Sequence, residues 1–403
     1  MSSLGPNTVG AQGVIPFWAA SQPVIFDNFT SDSWTPGASQ ANLFQGALAD
    51  LKSYGYLNKL WIKNVGTGGS TGGTFAADAP MNAFSVIRVI DPNGHAIVDA
   101  DSFGLYLENK YGAREWVGDP IKLPNASYSL GGTTGTNTPQ FDLTIPFCVN
   151  EEIGLGALSD MDASGPYQIV AQGNTSANIY TTAPTTTTPK ITVSVGGEFF
   201  ALPAATSRIN GQPQVQLPPG LDRGLAIVNE FTKTTLTVPS SGTQTLKLRR
   251  VGNIISQIIM VARNSSGARI DWPSAVCASG TRVQLAFDSV PLWDADPQHL
   301  IDQLMRRRAS SFAYDTGVLV FDRRSPANIA LTQLGTDGGL DTMLQTAQTT
   351  SLELTCNFQG SQATTIDVYT SDVTITNMVT GEKYSFAYGG QLLMPSSPGQ
   401  VRS

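Results

Sequence analysis

The chain has 403 residues, of which only 14% are charged, a formal net charge of −7, and abundant Gly (40) and Pro (24). That length exceeds what one hydrophobic core usually serves, so two domains are expected, and the acidic balance excludes a protein that coats nucleic acid over its whole surface. No apolar run is long enough to cross a bilayer as a helix, and Cys148, Cys277 and Cys356 are too widely spaced for a disulfide framework or a zinc knuckle and read as buried thiols.

Residues 1–13, the greater part of the segment 1–15, are polar and Gly-containing, with neither a basic n-region nor an apolar h-region. They read as an N-terminal arm, not a secretory signal, and the chain is expected to stay in the cytoplasm of the cell that makes it. Asn42 to Tyr54 places Leu43, Phe44, Ala47, Leu48 and Leu51 at helical spacing behind Ser39 as an N-cap, which predicts a helix lying on a sandwich. Leu57 to Asn64 alternates like a strand. Phe84 to Asp99 (FSVIRVIDPNGHAIVD) reads as a β-hairpin around an Asp-Pro-Asn-Gly turn. Phe141 to Leu158, Tyr167 to Gln172, Ile179 to Thr181 and Lys190 to Phe200 supply further strands of this half, residues 16–203. Ala204 to Gly224, broken by Pro and Gly, is a linker.

The second half, residues 225–380, repeats the order. Ser256 to Asp271 (SQIIMVARNSSGARID) follows the plan of the Phe84 hairpin, with Val89 and Val261 separated by 261 − 89 = 172 residues. Thr245 to Asn253 then matches Leu57 to Asn64, and Gly317 to Leu334 matches Phe141 to Leu158. Leu344 to Thr350 matches Tyr167 to Gln172, Leu352 to Phe358 matches Ile179 to Thr181, and Thr365 to Asn377 matches Lys190 to Phe200. About eight strands per half is the number expected of a jelly roll or a comparable sandwich. Pro297 to Arg308 is the clearest helix, with Asp296 as its cap and Leu300, Ile301, Leu304 and Met305 as its buried stripe. Residues 381–403 form a C-terminal tail.

Chemistry-bearing residues are sparse. His95 sits in the Phe84 hairpin turn and His299 on the second-half helix; both read as exposed and passive, and two histidines so far apart exclude a His-rich metal site on one chain. Glu151 and Glu152 are adjacent and point to opposite sides of an extended segment, which suits a loop edge better than a glycosidase acid pair. Asp99/Asp101, Asp160/Asp162 and Asp294/Asp296 have Asp-x-Asp spacing but no EF-hand loop, and read as turn and cap residues ahead of a calcium site. Gly66 to Gly73 lacks the Lys-Ser/Thr ending of a P-loop. The arginines at 249/250, 306–308 and 323/324 are not interleaved with aromatics, so protein interfaces are preferred to phosphate binding. No catalytic, cofactor-binding or metal residue is assigned.

An all-β chain of two tandem eight-stranded sandwiches with a few short helices, in which the helix DPQHLIDQLMRRR leads to the strand TGVLVFD (Thr316 to Asp322), resembles the double jelly-roll major capsid proteins of the tectivirus and adenovirus lineage of double-stranded DNA viruses. The resemblance implies a bacteriophage virion protein and no enzyme: homotrimers forming pseudo-hexagonal capsomers of an icosahedral shell. It implies as partners other copies of the chain, penton and minor capsid proteins, and an internal membrane vesicle facing the arginines and the Phe17/Trp18 region. It implies no cofactor and no sequence-specific nucleic-acid binding. Gly66 to Gly73, Ser127 to Asn137 and Thr181 to Pro189 are expected to form outer towers. The first half departs from the pattern in lacking an evident helix before its late strand, where Gly104 to Leu123 carries Tyr106, Tyr111 and Trp116. The rival reading is a carbohydrate-acting enzyme or lectin on paired jelly rolls, with Tyr111 and Trp116 as sugar platforms.

Overall fold

A computed structural model describes residues 17–69, 72–112, 120, 127–128, 139–151, 153–160, 165–203, 207–209, 212–214, 217–221, 224–248, 253–278, 280–307, 314–322, 343–346, 351–359, 363–377, 383–386 and 392–393. Sixteen of its strands build two sandwiches. The first uses β1 (Pro23–Trp34), β2 (Ala41–Leu43), β3 (Tyr56–Thr67), β4 (Phe84–Ile90), β5 (Ala96–Ala100), β6 (Pro139–Pro146), β7 (Gln168–Gly173) and β8 (Lys190–Phe200). The second uses β9 (Leu225–Thr237), β10 (Gly242–Leu248), β11 (Ile254–Arg263), β12 (Val283–Phe287), β13 (Val290–Ala295), β14 (Val318–Asp322), β15 (Leu352–Phe358) and β16 (Thr365–Asn377).

Each half pairs its strands in the same order. The first half has the sheets β1-β8-β3-β6 and β2-β7-β4-β5; the second has β9-β16-β11-β14 and β10-β15-β12-β13. Every strand therefore has its counterpart eight strands later. The halves are fused, because β5 pairs in parallel with β9, Val98 opposite Phe231 and Asp99 opposite Thr232, so that two of the four sheets run on as one.

This topology corrects the repeat read from the sequence. The β4-β5 hairpin corresponds to β12-β13, not to Ser256–Asp271, and the strand matching β3 is β11, not Thr245–Asn253. The true correspondence is visible in the residues: Ile97-Val98-Asp99-Ala100-Asp101 is repeated as Leu292-Trp293-Asp294-Ala295-Asp296, 293 − 98 = 195 residues on. Two look-alike turns caused the slip. Asp91 Oδ1 accepts from the Asn93 and His95 amides, and Asn264 Oδ1 accepts from the Ser266 and Ala268 amides. The second turn, however, leads only to an isolated bridge at Arg269 and a short π-helical turn, Trp272–Val276.

Late matches divide. β6 with β14 and β8 with β16 hold, whereas β7 corresponds to β15 and not to Leu344–Thr350, whose described part pairs Leu344 and Gln345 with β11. Tyr180–Thr182 pairs with Thr74–Phe75 outside the main sheets and is no counterpart of β15.

The core explains why β11 misled. Ile258, Met260 and Ala262 point into the second sandwich with Leu319, Phe321, Ile366 and Val368, while Ile259 and Val261 point the other way and join the first sandwich's core with Val318 and Val320. Nine of its ten residues are buried. A strand covered on both faces loses its alternation and reads as a continuous apolar run. Each such Ile or Val contributes ~1.5–3 kcal/mol by leaving water, so this strand binds the halves together as well as stabilising its own.

Two helices sit at equivalent places, between β5 and β6 and between β13 and β14: α1 (Ser102–Tyr111) and α2 (Pro297–Arg307). α2 is where the sequence puts it, with Asp296 Oδ1 accepting from the Gln298 amide. α1 was not foreseen. Nine of its ten residues are buried, so it carries no polar face and no amphipathic period, yet Asp101 caps it through the Gly104 amide. The helix expected over Asn42–Tyr54 does not form. Asn42 and Leu43 pair with Gln172 and Ala171 in β7, and Phe44 and Gly46 take positive φ, which ends any helical path; a single 3-10 turn, Gly46–Leu48, follows.

Candidate functional site

The densest polar constellation lies in the seam between the sandwiches. Asp78, from the turn before β4, accepts from Arg263 Nη1 at 2.6 Å and from Arg269 Nε at 2.6 Å. Arg263 Nε also donates to Asp367 at 2.8 Å. Lys233 meets Asp101 at 2.7 Å and Asp367 at 3.3 Å, and the Tyr369 hydroxyl donates to Asp101. Phe103 of α1 lies under both guanidiniums, with ring centroid distances of 5.6 and 5.4 Å. Three bases thus face three acids, drawn from both halves. Beside them, Lys110 and the Tyr111 hydroxyl bind Asp315 at 2.7 and 2.9 Å, Gln257 Nε2 donates to the Tyr111 carbonyl, and Asn229 Nδ2 donates to the Pro146 carbonyl.

Electrostatics favour the charged forms of Asp367 and Lys233. Burial works against the Asp367 carboxylate, but Lys233, Thr235 and Arg263 outweigh it and hold its pKa below the usual range. Burial likewise disfavours the Lys233 ammonium, yet Asp101 and Asp367 reverse the balance and raise it. Burial pushes the Tyr369 phenol well up, so it stays a neutral donor. Every carboxylate here is already held by a base, so the cluster is built to join two bodies, not to move protons to a substrate.

The residues singled out from the sequence are scattered. His95 is exposed in the β4-β5 turn, and His299 is exposed on α2 beside Gln303. Glu151 is held by Lys59 at 3.1 Å, with Glu198 also 3.6 Å from that ammonium, and Glu152 lies outside the described residues. The Asp-x-Asp pairs at 99/101 and 294/296 are the equivalent strand ends ahead of α1 and α2; Asp99 pairs with Arg88 and Asp294 with Arg282. Asp162 is not described, and Asp160 is a buried carboxyl whose Oδ2 has no hydrogen-bond partner and whose pKa burial pushes up to about 7. Among the described residues no group of three His, Cys, Asp or Glu side chains is placed to hold a metal ion, and no described helix is long and apolar enough to cross a membrane.

Tyr111 is fully buried in the seam and is no sugar platform; Trp116 lies outside the described residues, as do Arg249, Arg250, Arg308, Arg323 and Arg324. Arg306 is exposed near the end of α2. Phe17 is packed against Tyr56 and Phe200, which leaves Trp18 as the exposed aromatic of that region. All three cysteines are buried, with the Cys277 and Cys356 sulfurs 2.6 Å apart.

No protein-family model matches the chain, and none of the curated proteins matches it in sequence. Among solved structures, the major capsid protein of Sulfolobus turreted icosahedral virus superimposes with a TM-score of 0.58 at 12% identity, over 87% of this chain and 96% of that one. The PBCV-1 virus capsid matches with 0.54 at 10% identity, over 92% and 97%. The Faustovirus major capsid protein matches with 0.52 at 7% identity, over 93% and 92%. The chain has the double jelly-roll fold. At such identities the likeness is one of fold, and the eight-strand correspondence between β1–β8 and β9–β16 is its internal counterpart: each half of the double jelly roll is complete, down to the helix before the late strand. The departure expected in the first half is thereby removed.

Proposed function

We propose that the chain is a structural, non-enzymatic subunit of an icosahedral viral capsid, assembling as homotrimers into pseudo-hexagonal capsomers. One observation carries this reading: major capsid proteins match both sandwiches and their junction together, over at least 87% of the chain. Two sandwiches per chain give three chains six similar bodies, the number a pseudo-hexagonal ring needs. The domain limits that go with it are an arm at 1–15, jelly rolls at 16–203 and 225–380, a linker at 204–224 and a tail at 381–403. Penton and minor capsid proteins, and a membrane vesicle beneath the shell, complete its partners, with the virion as its final location and the host cytoplasm as its place before assembly.

Three loops favour one end of the first sandwich as the outer surface. Gly68 and Gly69 follow the end of β3, Ser127 and Tyr128 pair with Gln140 and Pro139 at the start of β6, and Thr181 to Pro189 leads into β8; Thr67 pairs with Lys190 and Val65 with Gln140 at that same end. Gly69 approaches Pro189, and Gly72 approaches Thr185. The towers would rise from this cluster. Native mass spectrometry with negative-stain microscopy tests the reading: trimers of hexagonal outline are expected, and a stable monomer that cleaves glycans would overturn it.

A further inference from the structure

The seam inside the chain joins a particular pair of edges. β5 is the outer strand of the β2-β7-β4-β5 sheet, β9 is the outer strand of the β9-β16-β11-β14 sheet, and they meet in parallel at Val98–Asp99 and Phe231–Thr232. By the eight-strand correspondence the same two edges recur once more. β13 is the counterpart of β5, and β1 is the counterpart of β9. Among the described residues β13 pairs with no strand but β12, and β1 with no strand but β8, which makes them the outer strands of their sheets.

The repeat also supplies the register. Trp293 and Asp294 stand where Val98 and Asp99 stand. On β1, Trp34 faces Ile191, the second residue of β8, as Leu236 faces Ile366, the second residue of β16. That gives an offset of 236 − 34 = 202 residues and sets Thr30 in the place of Thr232; Phe29, which matches Phe231 in residue type, is the last residue of a bulge between Phe26 and Thr30. Both edges expose apolar side chains: Val290 on β13 is 62% exposed, Ile25 on β1 is 66% exposed, and Leu48, whose carbonyl accepts from the Thr30 hydroxyl, is 46% exposed. Pro291 removes one donor from β13, but the two positions the seam uses lie beyond it.

Resting on the capsomer reading above, we propose that the β13 edge of one copy adds in parallel to the β1 edge of the next, setting Trp293 and Asp294 beside Phe29 and Thr30 of the adjoining copy and repeating between chains the seam within the chain. The contact is head-to-tail, so it closes into a ring or runs on as a filament. A step equal to the internal one closes it with the three chains and six sandwiches of the capsomer. One difference from the internal seam has a consequence: Ser31 stands in the position of Lys233, so the ion pair to the helix-capping aspartate has no equivalent between copies. The inter-chain seam rests on apolar contact and strand pairing, and it forms after each chain has folded.

The test uses the full chain with single and paired substitutions at the exposed positions. Ile25→Asp and Val290→Asp are each expected to convert trimers to monomers at micromolar concentration by native mass spectrometry, with the far-UV circular dichroism of the folded chain unchanged. The double variant Ile25→Cys/Val290→Cys, treated with a short bismaleimide, is expected to give covalent trimers, while either single variant gives none. Wild-type trimers that persist in both Asp variants would overturn the edge assignment and leave the capsomer reading standing, as would covalent dimers from a single Cys variant, which report a two-fold contact. A wild-type chain that never trimerises would instead remove the capsomer reading itself.

Discussion

Lys233 reaches from β9 across the seam to set its ammonium 2.7 Å from the Asp101 carboxylate, the same residue that caps α1 through the Gly104 amide. One side chain therefore secures a helix of the first sandwich and a strand of the second. Removing Lys233 leaves Asp101 and Asp367 short of a counter-charge in a largely desolvated place. Lys233→Ala is expected to cost ~3 kcal/mol, read as a lower denaturant midpoint, and added salt should not mimic the loss because the pair is shielded from solvent.

Acid should weaken the same seam. Asp367 is held below the usual carboxylate range, so the stability it contributes is fully present above its unfolded pKa and is lost as pH falls through the lowered folded value. Asp367→Asn is expected to flatten the acid limb of a stability-against-pH curve. An acid limb as steep as that of the parent chain would show that other carboxylates set it.

Asp160 works with the opposite sign. Burial raises its pKa from 3.8 to about 7, so its contribution favours folding below the unfolded value and declines as pH climbs toward 7. Asp160→Asn keeps the shape and removes the charge. It is expected to raise stability at pH 8 by ~2 kcal/mol, since each pH unit between the two values is worth at most ~1.4 kcal/mol, and the gain should shrink as the pH is brought toward 4.

Gly104 tests the packing of α1 against the second sandwich. A Cβ at this position would come within 2.2 Å of the Tyr369 ring, which is fully buried. Gly104→Ala is expected to destabilise the chain by ~2 kcal/mol; a melting temperature equal to that of the parent would contradict the close approach.

Thiol chemistry offers a solution check on the core. Cys148, Cys277 and Cys356 are buried, and the Cys277 thiol is raised by its hydrogen bond with Cys356 and by burial. Iodoacetamide should leave Cys277 and Cys356 unlabelled in the native chain and modify both after denaturation. Labelling of one cysteine in the native state would show that its site opens.

Strand content, the duplication and the α2 helix were legible because they rest on local signals: alternating strands such as β8, turn formers such as Asp91 and Asn264, and the Asp296 cap ahead of an amphipathic stripe. The register of the duplication was not. β11 and α1 lie between the two sandwiches, covered on one side by their own half and on the other by its partner, so burial from elsewhere in the chain erases the periodicities that would have announced them. The discriminating signal lay in the two Asp-x-Asp pairs at 99/101 and 294/296, which mark the same strand-to-helix junction in both halves but have the look of ion ligands when taken singly. The charged seam was equally hidden, since Asp78, Asp101, Lys233, Arg263 and Asp367 come together from five separate segments.

The order in which the continuous sheet is completed bears on synthesis. Once Phe200 has left the ribosome the first sandwich holds all eight of its strands, but β5 keeps an open edge until Phe231 and Thr232 arrive to cover it. β9 in turn waits for β16, its partner along thirteen residue pairs from Leu225 to Thr237. A nascent chain thus carries an adhesive strand edge through most of its translation, and in a cell making many copies at once, crowded polysomes would favour mispairing between unfinished chains over any failure of the finished one.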